Sequence, residues 1–173
     1  MSALSKNTLE VIMKKIVAGI ILVVSMVMTF TSCFPPAEKD FTAAGMTITL
    51  TEEFYEKEYI SYTAVYESSN IAIFALKEEK TIFEQYGYKN LSLADYGEMV
   101  LEANSLSGVS IKKDGELSYF TYEKALNGKE YLYTAYIFDT NDAFWLIQFA
   151  CLTDKGDTYS ETIADYAKTV KFE

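Results

Sequence analysis

Short apolar runs separated by turn residues fill most of the chain after residue 41 and predict a β-rich domain. The turns are marked by the sequences SSN, DG, NG and TND, and the runs are rich in β-branched and aromatic residues. Asn-Gly tolerates the positive φ angles of a tight hairpin turn, so the two runs beside it should pair. Because the other connections are also short, we expect a largely antiparallel sheet. The predicted strands are 46–50, 61–67, 71–78, 109–113, 117–125, 130–138 and 143–152.

Two further segments, 92–106 and 158–170, have the periodicity of amphipathic helices. In each segment the apolar residues recur every three or four positions and form one stripe. Ser92 is placed to cap the first helix, with Asp95 three residues later. In the second segment Thr158 and the acidic residue three positions on predict a capping box. Each helix should therefore bury one face against the sheet.

The predicted strands 71–78 and 143–152 are apolar at successive positions rather than at alternate ones. A strand with two apolar faces must be covered on both of them. The two predicted helices lie far apart in the sequence, so the economical arrangement puts them on opposite faces. We therefore predict an α+β fold, with a largely antiparallel sheet of about six strands covered by helices on both faces. Residues 41–173 are expected to form this single α/β globular domain.

Several segments also occur in an order that is known from other proteins. The chain has an N-terminal GMTITLTEEF segment, a mid-chain helix after a short strand, consecutive hairpins, a last strand with the tryptophan, and a closing helix that ends in TVKF. This order resembles that of PsbP-like α/β/α sandwiches over about residues 41–173. The resemblance implies the fold more than an activity. The best-known members are accessory or binding subunits of photosynthetic assemblies or partners of small GTPases, and relatives occur as small bacterial lipoproteins.

Residues 1–32 have the pattern of a secretory signal peptide. Lys14 and Lys15 precede an apolar run at 16–30, which is shorter than the roughly 20 residues that a membrane-spanning helix needs. The run ends in FTSC, which resembles the lipobox of bacterial lipoproteins and implies that the chain is cut before Cys33 and lipidated on it. The alternatives are an uncleaved anchor and a plain signal peptide with an incidental cysteine.

The N-terminal pattern also predicts where the protein is held. Met13 directly precedes the two lysines, so translation is expected to start there. Residues 33–40 would form a lipidated tether, in which Pro35 and Pro36 disfavour helix and extend the chain. The expected location is the extracytoplasmic side of the bacterial cell membrane or outer membrane, with the membrane contacted through the lipid on Cys33. Cys151 then has no disulfide partner and is expected to be a small buried hydrophobe.

The charge composition narrows the possible partners and chemistries. The chain carries 25 acidic residues against 15 lysines, a net charge of −10, and it has neither arginine nor histidine. Such a chain is a poor match for nucleic acid, which attracts basic patches. Without histidine it lacks the commonest general base and metal ligand, and no catalytic or phosphate-binding motif occurs. We expect no cofactor, no metal site and no enzymatic activity, although the sequences DTND and DKGD leave a weak calcium site open.

Tyrosines are concentrated in the predicted hairpin of residues 117–138. Because alternate strand residues face opposite sides, Tyr131 and Tyr133 should share one face and Tyr136 should take the other. Tyr131 and Tyr133 are the candidate ligand-binding residues, as a platform for a sugar or a peptide. Ordinary strand packing is the alternative, since tyrosine is a favoured strand residue.

Three functions follow as hypotheses. The leading one is a non-catalytic, lipid-anchored accessory protein that binds another envelope protein. The first alternative is a lipid-anchored binder of a small ligand or glycan that uses an aromatic-lined cleft. The second is an enzyme with an unrecognised carboxylate or Ser–Lys site. An exposed apolar patch, a concave pocket with convergent polar groups, or titratable groups with shifted pKa in that pocket would distinguish them.

Overall fold

The protein was analysed as a computed structural model, which describes residues 36–173. The predicted signal peptide, the lipidation site Cys33 and the start of the tether lie outside the described residues. Within the described part of the chain, no helix is long and apolar enough to cross a bilayer.

Ten strands and three α-helices make up the described part of the chain, together with one turn of 3₁₀-helix at Thr153–Lys155. The strands are β1 (Glu38–Ala43), β2 (Met46–Thr51), β3 (Tyr55–Lys57), β4 (Ala64–Glu67), β5 (Ala72–Glu79), β6 (Lys112–Asp114), β7 (Leu117–Leu126), β8 (Lys129–Asp139), β9 (Ala143–Leu152) and β10 (Lys171–Phe172). The helices are α1 (Lys80–Gln85), α2 (Leu93–Ala103) and α3 (Gly156–Lys168). β1 begins at Glu38, within the residues that the sequence assigns to the tether.

Seven strands form the main sheet, in the order β3-β4-β5-β9-β8-β7-β6. Every neighbouring pair in it is antiparallel, and β7 and β8 form the hairpin that Asn127-Gly128 predicts. The predicted fold class is confirmed. The sheet gains its seventh strand from β3, which is only three residues long and fully exposed, so neither apolar pattern nor length marks it in the sequence.

One face of the main sheet is covered by α3 and by a second, three-stranded sheet. This small sheet has the order β1-β2-β10, so the predicted strand 46–50 joins β1 and β10 rather than the main sheet. Its inner side chains Met46, Ile48 and Leu50 are fully buried and pack with Trp145 of β9 and Ile163 of α3 in one cluster. A helix and a small sheet together therefore cover the face that a helix alone was expected to cover.

The opposite face is covered by α2 and α1, but only over one end of the sheet. The Tyr96 ring of α2 stacks on Phe144 with centroids 4.5 Å apart, and its hydroxyl donates to Glu78 at 2.7 Å. Gly97 lets the helix come close, because a Cβ there would lie 2.8 Å from the Ile137 Cδ1 atom. Phe83 of α1 packs edge-on against Phe144. α1 was not predicted from the sequence, since six residues carry little periodicity.

The two predicted helix starts have different outcomes. The capping box of α2 is confirmed: the Asp95 N–H donates to Ser92 Oγ at 3.2 Å, and the Ser92 N–H donates to Asp95 Oδ2 at 3.0 Å. The capping box predicted at Thr158 is wrong, because α3 begins at Gly156 and no side chain caps it. The chain enters α3 directly from the 3₁₀ turn, and Gly156 packs so closely that a Cβ would lie 2.6 Å from Leu132 Cδ2.

Candidate functional site

α1 and α2 leave the other end of their sheet face open, and a cleft of about 500 Å³ lies there. Its floor is formed by β5 and β9, where Ala72 and Ala150 are the small residues. One wall comes from the loop between β3 and β4, and the other from the β7–β8 hairpin. We call this depression the tyrosine cleft. Its aromatic lining residues are Tyr59, Tyr62, Phe74, Tyr131, Tyr133 and Tyr159.

The register of the sheet places small residues in the floor of the cleft. Tyr122 of β7 lies opposite Tyr133 of β8, and Tyr133 lies opposite Ala150 of β9. Ala150 in turn lies opposite Ala72 of β5, which lies opposite Glu67 of β4. These side chains all project from the same face, because directly opposed residues do so. Two large rings are therefore followed along the row by two methyl groups.

Tyr133, the last ring in this row, is supported by its neighbour on β7. Its ring stacks on that of Tyr122, with centroids 4.8 Å apart and planes only 6° from parallel. The Tyr122 hydroxyl donates to Gln148 Oε1 at 2.6 Å, which locks the second ring. Burial raises the pKa of Tyr122, and burial, with a smaller effect of Tyr62, also raises the pKa of Tyr133. Both phenols are therefore neutral at physiological pH, and their hydroxyls can donate hydrogen bonds.

The far wall carries a second aromatic pair and a neutralised carboxylate. The rings of Tyr62 and Phe74 lie 5.1 Å apart. Glu67 is paired with Lys57, with Nζ and Oε2 2.6 Å apart, and it also accepts a hydrogen bond from the Tyr55 hydroxyl at 3.3 Å. The Lys57 pKa is raised by this pairing, chiefly through the hydrogen bond to Glu67. Glu67 is the only carboxylate among the described residues that line the cleft, and it is thus already engaged.

Two exposed lysines at the hairpin end of the cleft have no such partner. Lys129 begins β8, and Lys155 ends the 3₁₀ turn; both line the cleft. Among residues 36–173, no carboxylate lies within salt-bridge distance of either amine. Both amines are therefore free to contact an anionic group of a ligand.

The candidate residues taken from the sequence meet in this cleft. Tyr131 and Tyr133 both line it, two residues apart on one face of β8. Tyr136 takes the other face, where it is buried and packs edge-on against Phe149. Sequence reasoning missed Tyr62 and Phe74. The SYTAVYE and IAIFALKE runs contain both residues, but nothing in the spacing shows that the loop before β4 folds back over the sheet.

The structure also shows the surroundings of Cys151 and of the acidic DTND turn. Cys151 is buried in the cluster under α3, as expected, and burial raises the pKa of its thiol. In the DTND turn, Asp139 pairs with Lys80 and Asp142 pairs with Lys77 at 3.0 Å. Within residues 36–173 no group of three potential metal-ligating side chains comes together.

Comparison with known proteins identifies the architecture. No family model matches the chain, and no curated protein matches it. Solved structures do match: cyanobacterial PsbP (CyanoP) from Synechocystis sp. PCC 6803 is similar, with a TM-score of 0.53 over 84% of this chain and 99% of that chain, at 10% identity. The fold is PsbP-like. The Saccharomyces cerevisiae Ran-binding protein Mog1p shares this fold, with a TM-score of 0.51 over 79% of this chain and 96% of that one, at 10% identity. The PsbP-like fold implied by the sequence is confirmed, and these identities establish the fold alone.

Proposed function

We propose that this chain is a non-catalytic binding protein, held by a lipid on Cys33 at the extracytoplasmic side of a bacterial membrane, whose ligand site is the tyrosine cleft. The observation that carries this proposal is the open half of the sheet face, where Tyr131 and Tyr133 line a depression of about 500 Å³. That volume falls in the range of small-molecule sites, which are mostly apolar and carry a few convergent polar groups.

The chemistry of the cleft supports binding rather than catalysis. Glu67, the one carboxylate among the described lining residues, is paired with Lys57, and the chain has no histidine to act as a base. The Ser68 hydroxyl is engaged in the turn between β4 and β5, where it donates to the Ile71 carbonyl at 3.2 Å and accepts from the Ile71 N–H. Neither Ser68 nor Ser69, the two serines of the described lining, is hydrogen-bonded to a lysine. A nucleophile hydrogen-bonded to its base, which covalent catalysis requires, is therefore missing from the described cleft.

The anchoring part of the proposal rests on the N-terminal sequence. The FTSC segment and the apolar run before it support a lipidated Cys33, and acyl chains bind a bilayer with about 0.8 kcal/mol per buried methylene group. We expect the full-length chain to remain with membranes in high salt. Cys33→Ser should release it, or leave it with an uncut signal peptide. A Cys33→Ser protein that is processed normally and stays on the membrane would refute lipid anchoring.

A second candidate, binding of an envelope protein, is favoured by the rim of the cleft. Ile60, at the tip of the β3–β4 loop, is fully exposed, and Tyr59 beside it is 48% exposed. Leu126, on the opposite wall, is 52% exposed. Large apolar side chains that project beside a concave site are typical of protein interaction surfaces. A protein partner would bury this rim in addition to the cleft.

The cleft can be tested without knowing the ligand. The full-length protein is purified in mild detergent from its own cells and examined by native mass spectrometry for a bound small molecule. Wild type and Tyr86→Ala, a control in an exposed ring outside the cleft, should carry the same added mass. Tyr133→Ala should lose it, because one wall is removed. Bare protein in all three samples, or an added mass that survives Tyr133→Ala, would contradict the assignment.

A further inference from the structure

We propose that the tyrosine cleft takes an acidic saccharide, with a sugar ring packed against Tyr133 and its carboxylate on Lys129 and Lys155. This inference rests on the proposed function, because it names the class of ligand for the same cleft. It follows from three features of the cleft: an aromatic lining above a floor of small residues, two lysines in the lining without an acidic partner, and free tyrosine hydroxyl groups.

The floor of the cleft is two strands wide. Along the row of opposed residues, Ala150 and Ala72 lie between Tyr133 on one side and Glu67 on the other. Adjacent strands are about 4.8 Å apart, so Tyr133 and Glu67 are separated by roughly 14 Å at the backbone. The Tyr122 ring covers one face of Tyr133 at a spacing of 4.8 Å, the same as the strand spacing. The exposed part of the Tyr133 ring, beside Tyr131 in the cleft lining, is the surface left for a ligand ring.

A sugar ring suits this position because its two kinds of surface match the cleft. The C–H groups on one face of a pyranose pack against an aromatic ring, while its hydroxyls project sideways. The hydroxyls of Tyr131 and Tyr133, two residues of the cleft lining, have no hydrogen-bond partner among residues 36–173. Asn70, in the turn that closes one end, uses its Nδ2 on Ser69 at 3.0 Å and keeps its Oδ1 for a ligand. A purely aromatic ligand would leave these groups without a partner.

The charge of the cleft selects an anionic sugar. Glu67 is neutralised by Lys57, so Lys129 and Lys155 leave the lining with excess positive charge in a protein whose net charge is −10. A lysine ammonium and a carboxylate form a charge-assisted hydrogen bond, which is stronger than one between neutral groups. Both lysines are exposed at the cleft mouth, so their contribution should fall as salt is added.

The test uses the full-length protein in detergent on a glycan array that displays uronic-acid and sialic-acid saccharides beside their neutral parents. Acidic members should bind and neutral parents should bind more weakly. The best acidic saccharide and its carboxyl-reduced form are then compared by isothermal titration calorimetry. Removing the carboxylate should weaken binding about tenfold, and so should the double change Lys129→Gln with Lys155→Gln, at about threefold for each exposed charge. Lys113→Gln, in the far edge strand β6, is the matched control and should bind as wild type does.

The lysine variants test the charge of the cleft, and the Tyr133 variant tests its aromatic ring. Tyr133→Ala should weaken binding by at least about tenfold for the acidic and the reduced saccharide alike, as loss of a stacking partner does. Thermal unfolding of each variant shows whether a loss of binding reflects a loss of fold, and the exposed lysine variants keep the test valid if Tyr133→Ala is unstable.

Three results would overturn the proposal. If acidic and reduced saccharides bind equally, or the lysine variants bind like wild type, the anionic class is wrong, although the cleft remains a saccharide site. If no saccharide binds but native mass spectrometry shows a mass that Tyr133→Ala removes, the ligand class is wrong and the proposed function stands. If no array member binds and no such mass is found, both proposals fail.

Discussion

At the scale of the residue, Tyr122 matters because it positions another ring rather than lining the cleft. It supports Tyr133 through a parallel stack and is itself held by Gln148. Alternation along the strand was enough to put Tyr131 and Tyr133 on one face. It could not indicate that their neighbours across the sheet are alanines, because the pairing of β8 with β9 depends on a register that no local pattern encodes.

Tyr122→Phe separates the two roles of this residue. The change keeps the stacked ring and removes the hydroxyl that donates to Gln148. We expect the free energy of unfolding to fall by about 1 kcal/mol, measured by urea denaturation, because a partly buried hydrogen bond is lost. Ligand binding in the cleft should be retained. Tyr131→Phe is the matched control, since its hydroxyl has no partner among the described residues, and it should change stability by less than about 0.5 kcal/mol. Equal effects of the two changes would show that the Gln148 contact contributes nothing to the free energy of unfolding.

At the scale of the element, length largely decides what the sequence can reveal, although the three-residue β6 overlaps the predicted strand 109–113. β5, β7, β8, β9 and α2 were all predicted, because each has enough residues for a clear period. β1, β3, β10 and α1 were not, because they are short or polar and owe their conformation to the elements they contact. Nothing in the sequence indicates that strand 46–50 belongs to a second sheet, since β2 alternates like any half-buried strand and its partners β1 and β10 were not predicted.

The starts of α2 and α3 can be compared by one substitution in each. Ser92→Ala removes the side chain that accepts from the Asp95 N–H, so the free energy of unfolding should fall by about 1 kcal/mol. Thr158→Ala acts inside the first turn of α3, where no side-chain cap exists, and alanine is the better helix former. That change should be neutral or stabilising by a few tenths of a kcal/mol. Thermal or urea unfolding of both variants is the measurement. A loss at Thr158 as large as that at Ser92 would mean that Thr158 caps α3 after all.

At the scale of the whole molecule, tyrosines buried throughout the domain link stability to alkaline pH. Burial raises the pKa of Tyr66 to about 12, with a smaller contribution from Glu56, and it raises the pKa of Tyr136 to about 12. The pKa of Tyr96 is raised further, first by burial and then by Glu78. In the unfolded chain each phenol has its ordinary pKa near 10. The folded state therefore binds these protons more tightly than the unfolded state does.

The sign of the resulting pH dependence follows from this difference. The stability contributed by the neutral phenols is fully present below about pH 10 and is lost as the pH rises from 10 towards 12. We expect the free energy of unfolding to fall steeply in that window. Far-ultraviolet circular dichroism and tyrosinate absorbance should change together, because buried phenols ionise only when the chain opens. Smooth ionisation of every tyrosine near pH 10 with no loss of circular dichroism would contradict it.

The depth of the cleft depends on two alanines, and this has an evolutionary consequence. A single base change turns an alanine codon into a valine codon, and valine is a better strand residue than alanine. At Ala72, which is partly exposed in the cleft floor, such a change would narrow the cleft while leaving the sheet hydrogen bonds in place. Descendants of one ancestral gene could therefore diverge in what they bind long before they diverge in how they fold.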